Sequence, residues 1–366
     1  MKESVVTTGR LGDSVAVATL VREKPLNSLL LDTIDQLAGF VDEALADPAI
    51  SCLLLQSSTP RAFCAGADIT ALYRAIRGEE GLALSYAEAF FLREYTLDYR
   101  LHRSAKPVIA WGEGIVMGGG LGLLGGCSHR VGTASTRIAM PEITIGLFPD
   151  AGGTSFLSAL PDHLGLWVGL TGCHLSAGDS LALGLLDHVV EDSARQALPD
   201  RLMSINWQAA DVHEQISRAL VSLETDEVLP LQLLRYRHEI SKLMAESLAA
   251  EDFFLAFESG LAELPDDEWL AQAITTYRSG CPVTARIFLE QMRRAQGMSL
   301  ADMFRMELTI AYQCIRHPDF PEGVRALLID KDRNPAWSFP GAREVPWTLV
   351  EAHFSPSCSG DHPLKL

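Results

Sequence analysis

The sequence predicts an α/β fold in which a short apolar strand, a glycine turn and a helix recur as one unit, followed by a largely helical C-terminal region. Two runs carry this expectation: Cys52-Leu-Leu-Leu-Gln56 and Lys106-Pro-Val-Ile-Ala-Trp111 read as buried strands, and each leads through glycines into helix-forming residues. A third observation sets the second half apart: beyond about residue 205 the strand signals fade into helical spacing. With 366 residues and 48% hydrophobic content, the chain could form two domains or one large one with additions, and it has ample material for a core.

In chain order, Ser14 to Val21 alternates small and β-branched residues and reads as a strand. After Lys24-Pro-Leu-Asn-Ser-Leu29 a helical pattern runs through Ala46, with Asn27 or Ser28 as its start. Phe63-Cys-Ala-Gly-Ala-Asp68 breaks the Cys52 strand, and a helix follows from about Ile69. Gly112 to Gly122 precede small-residue helix material through Cys127, and Thr136 to Met140 forms a third strand that ends in Pro-Glu. Leu181 to Val190 holds a helix end and a strand. Residues 282–316 hold two helical segments, the second opened by the capping-box-like Ser299-x-x-Asp302; its apolar positions, Phe304, Leu308 and Ala311 among them, fit one face and read as core packing. The last 15 or so residues look frayed.

Composition excludes several classes of function. Basic residues number 30 against 47 acidic, a formal charge of −17, which argues against nucleic acid or an anionic membrane as partner. The seven cysteines (52, 64, 127, 173, 281, 314, 358) are dispersed without a C-x-x-C pair, so they read as reduced thiols. No signal-peptide core and no long apolar span occurs, and the expected location is the cytoplasm. The ten histidines show no metal-ligand spacing, and the serine-hydrolase elbow and phosphate-loop lysine are missing. Gly120-x-Gly122-x-x-Gly125 formally matches the dinucleotide fingerprint, with Glu142 about 20 residues on. The residues between, Gly126 to Arg137, are too polar and turn-rich for the helix that this fingerprint requires.

Chemistry concentrates in two stretches. Met140-Pro-Glu-Ile-Thr-Ile-Gly-Leu-Phe-Pro-Asp150-Ala-Gly-Gly153 sets Glu142 and Asp150 among apolar and glycine-rich neighbours, where a charge is costly unless hydrogen-bonded or working. Just upstream, the triple glycine in Met117-Gly-Gly-Gly-Leu-Gly122 lets backbone N–H groups approach a ligand closely and face a developing oxyanion. Together they point to acyl chemistry. The plainer readings are tight turns between strand and helix, and for Asp150 an N-cap of the residues that follow.

Phe63-Cys-Ala-Gly-Ala-Asp68, Met117-Gly-Gly-Gly120, Met140-Pro-Glu142 and Ala151-Gly-Gly153, in that order, resemble the enoyl-CoA hydratase/isomerase or crotonase superfamily. Phe148-Pro-Asp150 and the run Asp319-Phe-Pro-Glu-Gly-Val-Arg, with Trp337 shortly after, resemble its 3-hydroxyisobutyryl-CoA hydrolase branch; the resemblance covers roughly residues 10 to 340. It implies an α/β fold, a crotonase-like ββα superhelical spiral with a C-terminal α-helical region. It places the spiral and its CoA thioester site in 1–205, a helical region that closes the site or mediates assembly in 206–345, and a flexible tail in 346–366.

The same resemblance implies the site residues. Ala65 and Gly119 would donate backbone N–H groups to the thioester carbonyl, with Gly66, Ala67, Asp68 and Gly118 around the substrate. Glu142 would be the main catalytic carboxylate, as nucleophile or as base for water. Asp150 would hold the substrate's 3-hydroxyl or orient the water. Glu94 would bind substrate, although a surface glutamate is the common alternative. Hydratases of the superfamily carry a second glutamate where this chain has Gly122, and glycine cannot move a proton. That departure favours thioester hydrolysis over hydration, isomerisation or non-catalytic acyl-CoA binding. Lys24, Lys106, Lys331 and Arg333 are candidates for the CoA phosphates. No cofactor beyond the CoA of the substrate and no metal is expected, and a homo-oligomer is possible.

Overall fold

A computed structural model describes residues 5–79, 81–208, 211–356 and 361–366. Its strands are β1 (Val6–Leu11), β2 (Val15–Leu20), β3 (Cys52–Ser57), β4 (Ala62–Cys64), β5 (Val108–Trp111), β6 (Ile115–Met117), β7 (His129–Thr133), β8 (Arg137–Ala139) and β9 (His188–Val190). They form a six-stranded sheet in the order β1-β2-β3-β5-β7-β9 and a three-stranded sheet in the order β4-β6-β8. From β3 onward consecutive strands therefore alternate between sheets: β3, β5, β7 and β9 enter the large one, and β4, β6 and β8 the small one. Each repeat advances both sheets by one strand, which is how a ββ repeat closed by a helix winds into a spiral. The β1–β2 pair is antiparallel, whereas pairings from Val15 opposite Cys52 to Val131 opposite His188 are parallel. Parallel pairing requires crossovers, and buried runs such as Cys52–Leu55 and Val108–Trp111 supply strands covered on both faces.

The chain forms two compact units, each discontinuous in sequence: residues 1–67, 97–138 and 175–231 in the first, 68–96, 139–174 and 232–366 in the second. In the first, Val15, Leu54, Ile109, Trp111, Val131 and Val190 form a core with Leu198 and Leu202 of helix Ala194–Met203 and Ile216 and Leu220 of helix Val212–Val221. The second is mostly helical. Its segment from 346, expected as a tail, carries a helix at Trp347–His353 that buries Val350 and His353, and Leu364 is buried as well. Cys358 lies outside the described residues; the other six cysteines are buried free thiols.

The first helix starts later than expected, at Leu31. Leu26 and Asn27 take left-handed backbone angles (φ 54° and 56°), and the Asn27 amide turns inward instead of capping. It donates to Ser57 Oγ at 2.8 Å and to the Ala62 and Phe63 carbonyls at 3.1 Å. Residues 126–137, read as unfit for a dinucleotide-fold helix, contain strand β7.

Helix Gly119–Gly125 sits against the end of β4, where a Cβ on Gly120 would lie 2.2 Å from the Cys64 carbonyl oxygen. Gly120→Ala must push helix and strand apart. We expect a loss of about 2 kcal/mol or more in denaturant unfolding, whereas Gly9→Ala, with open space around it, changes stability far less.

Candidate active site

The turns that follow β4 and β6 meet within the first unit. Gly66 has φ 88°, and a Cβ there would lie 2.9 Å from the Met117 carbonyl oxygen and 3.4 Å from the Gly119 nitrogen. A side chain would separate the two turns, so glycine is required both by conformation and by approach. Gly118 takes φ 50°, ψ −126°, also glycine territory. The Leu29 N–H donates to the Gly66 carbonyl at 2.8 Å and the Ala65 N–H to the Leu26 carbonyl at 3.0 Å, which pins the 65–66 turn to the segment before the first helix.

That second bond corrects one expectation: the Ala65 N–H is already committed. The N–H groups of Ala67 and Gly119 make no hydrogen bond among the described residues. Asp68, expected beside substrate, lies in the second unit, where its carboxylate caps helix Ile69–Arg77 by accepting the Ala71 N–H at 3.2 Å.

The carboxylates gather within the second unit. Glu142 opens a 3-10 turn (Glu142–Ile145) two residues after Met140, with its Oε2 buried and without a hydrogen-bond partner. Asp150 follows in Phe148-Pro-Asp and accepts the Tyr95 hydroxyl proton at 2.5 Å. Glu94, next to Tyr95 on helix Leu84–His102, is 2% exposed, which removes the surface reading. Asp150 does not act as a side-chain N-cap. Helix Gly153–Ser158 is led by Gly152, and Glu307 supplies the acceptors: Oε2 to the Gly152 N–H and Oε1 to the Thr154 N–H, both 2.8 Å.

Burial dominates the electrostatics. It pushes Glu142 well above the ordinary carboxyl range, and the nearby Asp150 charge adds to the rise. Burial also lifts Asp150 from 3.8 to about 7, against the opposing Tyr95 hydrogen bond. Glu307 reaches about 7 for the same reason, despite its N–H donors. Tyr95 moves well above 10 through burial and then the charges of Asp150, Glu307 and Glu94, so it stays a donor. Asp150 and Glu307 can thus change protonation state near neutral pH.

Tyr95 and Glu307 are the members that sequence reasoning missed. Tyr95 sits beside the named Glu94 but reads as one more aromatic in a helix. Glu307 did carry a signal: it falls three residues after Phe304 and four before Ala311, on the face otherwise apolar. A carboxylate on a buried face needs partners, and here they are two backbone N–H groups. Among the described residues no group of three or more His, Cys, Asp or Glu side chains is placed to hold a metal ion. Of the basic candidates, Lys106 is committed to the Ala44 and Asp47 carbonyls at 2.8 and 2.7 Å, while Lys24, Lys331 and Arg333 are exposed.

A buried carboxylate with one oxygen left without a partner, beside a second acid, in a fold of ββ repeats, defines a crotonase-type protein. The chain belongs to the enoyl-CoA hydratase/isomerase family, whose model matches residues 15–354. Among its relatives is a protein from Danio rerio named 3-hydroxyisobutyryl-CoA hydrolase, mitochondrial, 34% identical over 93% of this chain and 86% of that one. Arabidopsis thaliana 3-hydroxyisobutyryl-CoA hydrolase 1 is 33% identical over 93% and 89%. Among solved structures, a carnitinyl-CoA dehydratase from Mycobacterium thermoresistibile is similar with TM-score 0.85, 29% identity and 98% coverage of both chains. An enoyl-CoA hydratase from Rhodobacter sphaeroides gives 0.83 and 28%, covering 97% of this chain and 98% of that one.

Asp150 holds its proton more tightly folded than unfolded. Its stabilising contribution is therefore complete below about pH 4 and is lost as pH rises through about 7. The expected outcome is that Asp150→Asn gains stability relative to the parent between about pH 5 and pH 8, by about 2–4 kcal/mol in denaturant unfolding. A difference that stays constant, or shrinks with pH, contradicts the raised pKa.

Proposed function

We propose that the protein hydrolyses a short-chain 3-hydroxyacyl-CoA thioester, 3-hydroxyisobutyryl-CoA above others, to the free hydroxy acid and CoA. The observation that carries this reading is the carboxylate set: Glu142 is buried with its Oε2 left without a hydrogen-bond partner, Asp150 stands beside it, and position 122 holds glycine. The named relatives support the same reading. The reaction is of the valine-catabolism type, and we place it in the cytoplasm, with CoA entering only as part of the substrate.

In this proposal two N–H groups polarise the thioester carbonyl. Gly119 keeps its expected role, and the partner is Ala67, whose N–H is unengaged, in place of Ala65. An oxyanion-hole donor of this kind contributes about 3–4 kcal/mol to the barrier when removed. Glu142 either attacks the carbonyl carbon, giving a mixed anhydride that water then opens, or takes a proton from the attacking water. In both routes the C–S bond breaks, the thiolate leaves, and it recovers a proton as free CoA. Asp150, steadied by the Tyr95 hydroxyl, accepts the substrate's 3-hydroxyl or aligns the water.

Hydration or isomerisation of an enoyl-CoA is the second reading, favoured by the names of the similar solved structures. It requires proton delivery at a second site, and Gly122 offers no group for it. The substrate itself is tested by free-thiol release over a panel of acyl-CoA esters. The expected order puts 3-hydroxyisobutyryl-CoA first, with 3-hydroxypropionyl-CoA behind by a factor that one methyl group allows, about 10 to 200. Release from no 3-hydroxyacyl ester would overturn the hydrolase reading.

Glu142→Gln keeps the shape of the side chain yet can neither attack nor accept a proton. It should lower kcat by about a thousandfold or more while substrate still binds, as read by thiol release and by titration with the ester. Retention of most of kcat would remove Glu142 from the mechanism. Asp150→Asn should slow turnover and weaken the preference for 3-hydroxylated over unsubstituted chains by about tenfold. If the rate falls and the preference survives, Asp150 handles water instead.

A further inference from the structure

The turn that follows Asp150 is held from outside by two buried side chains of the C-terminal helices. Ala151 and Gly152 take consecutive left-handed angles, φ 53° and 84°, a conformation that costs alanine energy and needs an external hold. Glu307, 0% exposed on helix Leu300–Cys314, accepts the N–H groups of Gly152 and Thr154, each at 2.8 Å. From helix Pro282–Arg294, the buried Gln291 donates through Nε2 to the Pro149 carbonyl at 2.9 Å and to Thr154 Oγ1 at 2.7 Å. Residues on both sides of Asp150 are thus fastened to helices far along the chain, 142 positions on for Pro149 and 155 for Gly152. Phe304, one turn before Glu307, also packs its ring 6.2 Å from that of Tyr95, the donor to Asp150.

We propose that Glu307 is a positioning residue for Asp150: by clamping the Gly152 and Thr154 amides it fixes the turn that sets where the Asp150 carboxylate points. The inference rests on the hydrolase reading for its kinetic consequence and on geometry alone for the rest. A plain capping role would stabilise the fold without any link to Asp150, and the two alternatives separate in a double-variant cycle. In E307Q one acceptor oxygen becomes an amide NH2 that must face an N–H donor, so one of the two bonds is lost.

The test uses the full chain and thiol release from 3-hydroxyisobutyryl-CoA. E307Q is expected to lower kcat by about tenfold or more with KM changed less than about threefold. In the Asp150→Asn background the same substitution should cost less than about twofold further in kcat, while lowering the thermal midpoint as much as it does alone. Multiplying kcat losses in the double variant, or a full kcat in E307Q, would overturn the proposal. Should E307Q fail to fold, E307D, which keeps both acceptors but withdraws them by one methylene, goes through the same cycle: a kcat loss absorbed by Asp150→Asn supports the clamp, and a multiplying loss or a full kcat overturns it. A second readout does not depend on turnover. The downfield proton resonance of the Tyr95 hydroxyl, assigned by its loss in Tyr95→Phe, should shift or vanish in E307Q because its acceptor has moved, and an unchanged resonance contradicts the proposal. A parent enzyme that releases no thiol would end the hydrolase reading while leaving this second readout to decide the clamp.

Discussion

Placing Glu142 and Asp150 near each other, away from water, is the constraint on which the second unit depends. Two carboxylates in a low-dielectric interior disfavour each other's ionisation, and neither can relax toward solvent. Such an arrangement persists only if the surrounding backbone is over-determined. The structure supplies this in layers. The Tyr95 hydroxyl binds Asp150, Glu307 and Gln291 fasten the turn that follows it, and the Ile143 carbonyl next to Glu142 accepts the Cys281 N–H at 2.8 Å. The Glu142 oxygen left without a partner therefore sits in a frame that is itself tied down, where it has acceptor capacity to offer a ligand.

The first unit meets a different demand: backbone, not side chains, must approach backbone closely. Strands β4 and β6 are only three residues long, and each ends in a glycine turn. Short strands leave little hydrogen-bonded ladder to hold those turns, so close packing does it, through Gly66 against Met117 and Gly120 against Cys64. Asn27 adds three hydrogen bonds beside β4. Thioester hydrolysis and enoyl hydration both place negative charge on the same oxygen, so in the proposed reading these turns would serve either reaction and the carboxylates would decide between them.

Much of this was legible in the sequence where local pattern and final environment agree. The β2, β3, β5 and β8 runs hold apolar or β-branched residues in strand-like spacing, and the Ser299 cap marks its helix as expected. Strand β1 was missed because Val-Thr-Thr-Gly-Arg-Leu lies at the sheet edge with four exposed positions and no apolar face to read. Strands β4, β6 and β7 are short or glycine-bearing and owe their state to neighbours distant in sequence. At the site, Glu142, Asp150, Gly119 and the 65–68 turn were visible as motifs. The misassigned donor, Ala65, shows the limit: which amide of a turn is free depends on the Leu26 carbonyl, about forty residues earlier. Tyr95 and Glu307 act through contacts 55 and 153 to 155 positions apart, beyond any local pattern.

The central claim is that this carboxylate set, with glycine at 122, commits a shared fold to hydrolysis. It is tested most directly by following thiol release from 3-hydroxyisobutyryl-CoA and loss of enoyl absorbance from crotonyl-CoA on one preparation. The account predicts ready release of CoA with scarcely any hydration. Efficient hydration with negligible thiol release would contradict it.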